Sequence, residues 1–576
     1  MSTRQRMGEV VFWMTLFTMG VARADDAISG GPKPGDLRAA GKIEFPISSD
    51  AAVRSEFERG VALLHSFFYE EARRIFTAAA EKDPKCAMAQ WGIAMTWWHP
   101  IWTPPTAAEM KAGTAAIDKA MELIRPAERD SGATGAPTDR ERKFIAALHA
   151  YYHAADGPAT AAVGQSCHGP VGSRERALAY EKGMRELAEK YPGDMEAQTF
   201  HTLAILAVGY ATPSDTTLSK QLEAARILEA LRTKNANHPG ITHYLIHSYD
   251  YPALAERGLS AAQAYASIAP WVPHALHMPS HIFTRLGMWD ESVAANQASA
   301  EASRAYAKVR QREATEAEEL HAIDYEAYSY LQEGRDEKAK EIVDFAATVR
   351  KTNPEMEFTA AYALAAIPAR YALERNDWAG AAVLTIPNVP HWSSFPFMEA
   401  LIEYAHALGR AHTGDLDGAE KAIKRMRQLR EATADPKFDY FKNHLDLQIK
   451  TASAWVAYGR GQKEEAVEEL RKMADAEDVL GKHPVSPGAL VPVREQLGGL
   501  LLELGQAKEA QREFEVGLKI YPGRFRGLLG AAQSAEKAGD NESARRYYAK
   551  LAAQTATAGN ARAELRGVRE YVAGEK

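Results

Sequence analysis

Two short stretches of this 576-residue chain place histidines four residues apart: His243 with His247, followed by Asp250, and His277 with His281. Residues four apart share a helix face, so each pair would hold two imidazoles side by side. Neutral imidazole is a ligand for Zn, Cu, Ni or Fe, and a carboxylate widens the choice. The chain has only two Cys, Cys86 and Cys167, too few for a four-cysteine zinc site or an iron–sulfur cluster. Any bound ion would have to rest on His and Asp. No His-Glu-x-x-His, Gly-x-Ser-x-Gly, Walker or dinucleotide fingerprint occurs in a suitable context, and no Cys precedes Cys167-His168 at haem-attachment spacing.

These pairs need helices to position them. Apolar residues recur at three and four, alanine is abundant, and strong strand patterns are hard to find. The segment 491–524 carries Leu497-Gly498, Gly505, Ala510, Phe514 and Pro522, and Gly60, Ala72, Phe76, Ala79 and Pro84 repeat that spacing near the start. A Gly followed five residues later by Ala recurs as Gly334/Ala339, Gly414/Ala419, Gly461/Ala466, Gly505/Ala510 and Gly539/Ala544, with Gly287/Ser292 as a variant. Small residues let paired helices approach, and Pro ends the second helix. On these residues the chain resembles the tetratricopeptide-repeat superfamily. The resemblance implies an all-α fold, a solenoid of stacked helical hairpins, with at least nine units between about residues 53 and 558.

In that register, units start at 239 and 273. His243 and His277 share position 5, His247 and His281 share position 9, and Asp250 takes position 12. The resemblance implies that these positions line the concave groove. The next unit, starting at 320, adds His321, Asp324 and Tyr328. Packed helices lie about 8–10 Å apart, so side chains from both could close on one ion. The predicted metal set is His243, His247, Asp250, His277, His281, His321 and Asp324. Around it, His65, His99, His201, His274, Tyr249 and Tyr328 are candidates to contact a ligand. Pro279 should kink the second His helix. The same imidazoles would equally serve as hydrogen-bond donors to an anion or peptide without metal, or as members of a satisfied polar core.

The two histidine strings are also similar to a subgroup of exported bacterial repeat proteins with no assigned activity. Three readings follow: a binding protein with a His/Asp pocket and a transition metal; a metal-dependent hydrolase or oxidoreductase using the same pocket; or a protein-interaction scaffold without metal. The expected partner is a protein, a peptide or a small anion in the groove. Net charge is −7, which argues against nucleic acid. Residues 1–24, with Arg4, Arg6, an apolar run to Val21 and Ala22-Arg23-Ala24, read as a secretory signal peptide. The expected location is therefore periplasmic or secreted, with no membrane insertion after cleavage, and a Cys86–Cys167 disulfide is permitted there. An extension (25–50), a His-rich array (51–390) and a plainer array (391–576) complete the expected organisation.

Overall fold

A computed structural model describes residues 39–101, 105–129, 136–154, 171–212, 215–355, 357–435, 438–559 and 562–574. The expected signal peptide and Cys167 lie outside these residues. Cys86 is buried. Among the described residues, the only strands are Thr315–Glu316 and Thr352–Asn353, a two-residue parallel pair. The rest is helices and their connections, in antiparallel pairs: Ala51–His65 with Tyr69–Lys82, Pro239–Tyr249 with Ala255–Ile268, and onward to Phe525–Ala538 with Asn541–Gln554. This is the tetratricopeptide-type solenoid the repeat spacing predicts.

The turn residues show why. Gly287, Gly334, Gly414, Gly461, Gly505 and Gly539 all have positive φ, between 68° and 86°, where a side chain would be strained. The small residue five positions on is fully buried in each unit, Ser292 included. Phe514 lies against Gly498, so a Cβ there would meet its ring at 2.8 Å.

Apolar packing runs in overlapping clusters, one from Ala40 to Tyr306, the next from Val293 to Ala531 and a third from Phe525 to Val568. The core does not divide near 390, because the middle cluster passes straight through that position.

The array also closes on itself. A Cβ on Gly287 would lie 2.5 Å from the Pro522 carbonyl oxygen, so only glycine admits the turn–turn contact there. Trp289 donates its indole N–H to the Gly523 carbonyl (3.1 Å). Arg524, fully buried, reaches Glu374 (2.5 Å), Glu495 (2.7 Å) and the Tyr328 hydroxyl (3.0 Å). Arg562 pairs with Asp336 (2.8 Å). The segment between Leu480 and Val493 passes inward: Tyr325 donates to the carbonyls of Pro484 and Ser486, and Arg370 donates to those of Gly488 and Ala489. The groove expected to receive a ligand is thus filled, along this stretch, by the chain itself.

Arg524→Ala would leave two buried carboxylates without their cation. We expect a loss of about 3–5 kcal/mol, read as a lower urea midpoint. An unchanged midpoint would show that closure contributes nothing to stability.

Candidate metal centre

The helices carrying the paired histidines begin at Pro239 and Pro273, as the repeat register predicts, each with Pro at its first turn. The second is interrupted at Met278, before Pro279, which has no N–H to give. Its backbone stays helical there, and the His281 N–H bonds the Met278 carbonyl three residues back (3.2 Å). His277 and His281 therefore still share a face.

The Nε2 atoms of His243 and His247 lie 3.1 Å apart, and those of His277 and His281 also lie 3.1 Å apart. His274 joins the first pair and His321 the second. In each trio, one nitrogen per ring lies within 4.8 Å of the others. All six residues are at most 2 % exposed. The expectation was five imidazoles and two carboxylates lining one pocket; the structure gathers six imidazoles into two adjacent triads. Facing rings of the two triads, His247 and His281, have centroids 6.3 Å apart.

The rear nitrogens are held by hydrogen-bond acceptors, which fixes the tautomers. His243 donates Nδ1–H to the His65 carbonyl (2.7 Å). His277 donates Nδ1–H to Asn296 Oδ1 (2.7 Å), whose amide is oriented by its own bond to the Ser292 carbonyl. His281 donates Nδ1–H to Asp250 Oδ2 (2.9 Å). Both Nε2 atoms of the His277/His281 pair are thereby left as lone pairs, aimed at each other. In the first pair a proton on His247 Nε2 can bridge to His243 Nε2, and the buried His247 Nδ1 lacks a hydrogen-bond partner in either tautomer.

Burial keeps these rings neutral. It lowers His243, His247, His277 and His321 well below the ordinary imidazole range, and neighbouring histidines add to this. His281 is lowered to about 4, burial outweighing the pull of Asp250.

Of the two carboxylates expected as ligands, Asp250 stands behind the His281 ring and Asp324 lies beside Arg370. Asp250 holds His281, Arg285 (2.8 Å) and Lys482 (3.1 Å). Burial would raise its carboxyl, but Lys482 and Arg285 prevail and hold it well below its usual range. Burial lowers the Lys482 ammonium to about 8, against Asp250. Asp324 lies 3.5 Å from Arg370, and burial pushes its carboxyl up to about 6.

The other candidates scatter. Tyr328 bonds Arg524, and Tyr249 pairs with Glu229 on the far face of its helix. His201 pairs with Glu181 (3.2 Å). His99 packs on Tyr69, whose ring stacks on Phe67. Phe67 was not visible as a site residue. It has φ of 53°, a strained backbone for a bulky side chain, and its ring walls the first triad, 4.4 Å from His243. His65 belongs to a separate buried triad: its Nε2 meets Glu196 (2.8 Å), its Nδ1 meets the Tyr244 hydroxyl (2.9 Å), and His238 takes the other Glu196 oxygen (2.9 Å). There each ring nitrogen is satisfied, since His238 Nδ1 also accepts from the Ile241 N–H. His149 and His153 form a partly exposed pair on Asp118.

No family model matches the chain, and no curated protein does. It is similar to solved structures of very different sequence. Naa15/Naa10 bound to HypK-THB has a TM-score of 0.22 and 11 % identity, over 90 % of this chain and 91 % of that one. Yeast Tom70 has a TM-score of 0.26 and 10 % identity, over 91 % and 95 %. The APC/C hetero-tetramer Cut9–Hcn1 has a TM-score of 0.27 and 10 % identity, over 90 % and 96 %. Scores this low carry no argument, and the fold stands on the chain's own hairpins.

In the metal-free chain, unfolding frees the cluster imidazoles to take up protons below about pH 6.5, whereas folded His281 stays neutral to about pH 4. Stability should therefore be lost as pH falls from about 6.5 through 4. Asp324, Glu333, Glu357 and Glu477, whose carboxyls burial raises, work in the opposite sense, so the cluster's share is read against a His243→Ala/His277→Ala variant. An unsubstituted chain that loses no more stability than this variant across the window would contradict the neutral cluster.

Proposed function

We propose that this is an exported tetratricopeptide-type protein whose role is to hold a transition metal, Zn, Cu, Ni or Fe, on the buried imidazoles of residues 243 to 321. One observation carries the reading. His277 and His281 aim two Nε2 lone pairs at each other across 3.1 Å, with both Nδ1 protons already given to Asn296 and Asp250. Without a cation between them, that contact is repulsive, and burial keeps a proton from filling the role. Two nitrogens on one ion at about 2.0–2.1 Å stand roughly 3.1–3.4 Å apart at near-tetrahedral angles, which matches.

The residues fit such an ion in kind as well. Three buried imidazoles per triad, with the Nδ1–H groups of His243, His277 and His281 held by acceptors and solvent excluded, are the parts of an imidazole metal site. Oxidoreductase chemistry at the same centre is the natural extension for a redox-active metal. A peptide has no room at the histidines, because the 481–492 segment fills the groove. A protein-binding role suits the open cleft of about 760 Å³ between the helices Leu416–Ala432 and Asp439–Gly459, lined by Glu420, Lys424, Arg427 and Arg460. The leader at residues 1–24 would deliver the chain to the periplasm or beyond.

Protein purified without a His tag should retain metal by elemental analysis or take it up on titration. His243→Ala/His277→Ala, which removes one ligand from each triad, should lower retention at least tenfold. Absence of metal in the unsubstituted chain, with no uptake of any of the four ions, would end this reading.

A further inference from the structure

We infer that Asp118, His149 and His153 form a separate, exchangeable metal site on the protein's surface, which takes one divalent ion of the zinc, nickel or copper(II) kind. It shares no residue with the buried imidazoles of residues 243 to 321 and does not depend on what they hold.

Two well-anchored helices place the three side chains. Helix Asp139–His153 starts in a capping box, in which Thr138 and Glu141 each accept the other's backbone N–H. It buries Phe144, Leu148, Tyr151 and Tyr152, which leaves His149 and His153 one turn apart on the partly exposed side. Helix Ala107–Arg129 lies against it, and Gly113 makes the approach possible: a Cβ there would fall 2.1 Å from the Tyr152 hydroxyl. Buried Ala116, Ile117 and Ala120 fix its register, so Asp118 faces the histidines.

The approach of the rings to the carboxylate carries the inference. Both imidazoles bring Nε2 to the same oxygen, Asp118 Oδ1, at 2.7 Å from His153 and 3.6 Å from His149. The rings stack, with centroids 4.1 Å apart and 26° between their planes. One donor atom from each of the three residues lies within 4.8 Å of the other two. Two donors on one ion at about 2.0–2.2 Å stand roughly 3.0–3.5 Å apart, and the two nitrogen–oxygen separations bracket that range.

The buried set of His65, His238 and Glu196 has the same donor types and shows the contrast. There the two imidazoles take different oxygens of the carboxylate, at 2.8 and 2.9 Å. Here His153 bonds the one oxygen, and His149 Nε2 stands beyond hydrogen-bond reach of it. Partial burial and then His153 lower His149 below the ordinary imidazole range, against the pull of Asp118 and with Arg125 adding to the effect. A neutral ring is the form that binds metal. Both rings meet solvent, so each can carry its proton on Nδ1 and offer Nε2 to an ion. His153 also lies in the last turn of its helix, where the negative end of the backbone dipole favours a cation.

The class of ion follows from the donors. Two imidazoles and a carboxylate suit zinc, nickel and copper(II), whereas Mg and Ca take oxygen ligands and Cu(I) favours sulfur. The side chains of Asp118, His149 and His153 are 45, 34 and 41 % exposed, so the ion would keep positions for water and exchange with solution.

The test is equilibrium dialysis of the full chain, purified without a His tag, against Zn²⁺. The unsubstituted protein should bind about one ion more than His149→Ala/His153→Ala. His149→Ala alone should weaken that ion at least tenfold. With Cu²⁺ in place of Zn²⁺, the added electron paramagnetic resonance signal should show coupling to two imidazole nitrogens, and to one after His149→Ala. Both histidines are partly exposed, so the variants should keep the melting temperature of the metal-free chain; the single variant decides the matter by itself. Equal zinc binding by all three proteins overturns this proposal and leaves the buried centre untouched. A difference of one ion upholds it even where the buried imidazoles take up no metal, because those residues are the same in every protein compared.

Discussion

The Asp250 carboxylate is the point on which the centre is hung. It ends the helix that carries His243 and His247, orients His281 from the next unit, pairs with Arg285 and receives Lys482 from a segment far along the chain. Four parts of the fold are thus referred to one buried anion. A buried carboxylate is tolerable only with partners of this number and charge. The arrangement makes the ligand geometry, the helix end and the closure of the solenoid mutually dependent.

Two histidine clusters in one molecule show what distinguishes an inward-facing donor set from a satisfied one. His65, His238, Glu196 and Tyr244 use the same side-chain types, and burial is as complete. Yet each ring nitrogen there has a hydrogen-bond partner, and the Glu196 carboxylate is held down by the two imidazoles against the cost of its burial. That network closes on itself. In the six-imidazole centre His243, His277 and His281 spend their Nδ1 hydrogen bonds outward, and the inner Nε2 atoms of His277 and His281 face each other without protons. The difference lies in which nitrogen faces inward, not in how many histidines are present.

Much of this was legible in the sequence because it is local and periodic. The positive-φ glycines set the repeat register, and the register alone put His243, His247, His277 and His281 on adjoining helix faces. The same register put His321 in the metal set and His274 beside it. What could not be read was the closure. Lys482, Arg524 and Arg562 meet their partners across 150 or more residues, and no local spacing marks them. The placement of Asp250 behind His281 depended on one of those distant cations, since a carboxylate that faces Lys482 is no longer free to face an ion. Asn296 was a middle case: it lies one turn beyond Ser292, on the helix that its own repeat folds back against the His277 helix.

The threading of the 481–492 segment also sets an order of events during synthesis. Every imidazole of the centre lies between residues 243 and 321, in consecutive hairpins that need only their neighbours to fold. The segment that seals them follows only after several further units. A growing chain therefore passes through a stage in which the donors are assembled and the cover is absent. Once Lys482 reaches Asp250 the entrance is shut, so acquisition of any guest and completion of the fold become a single timed process rather than two independent ones.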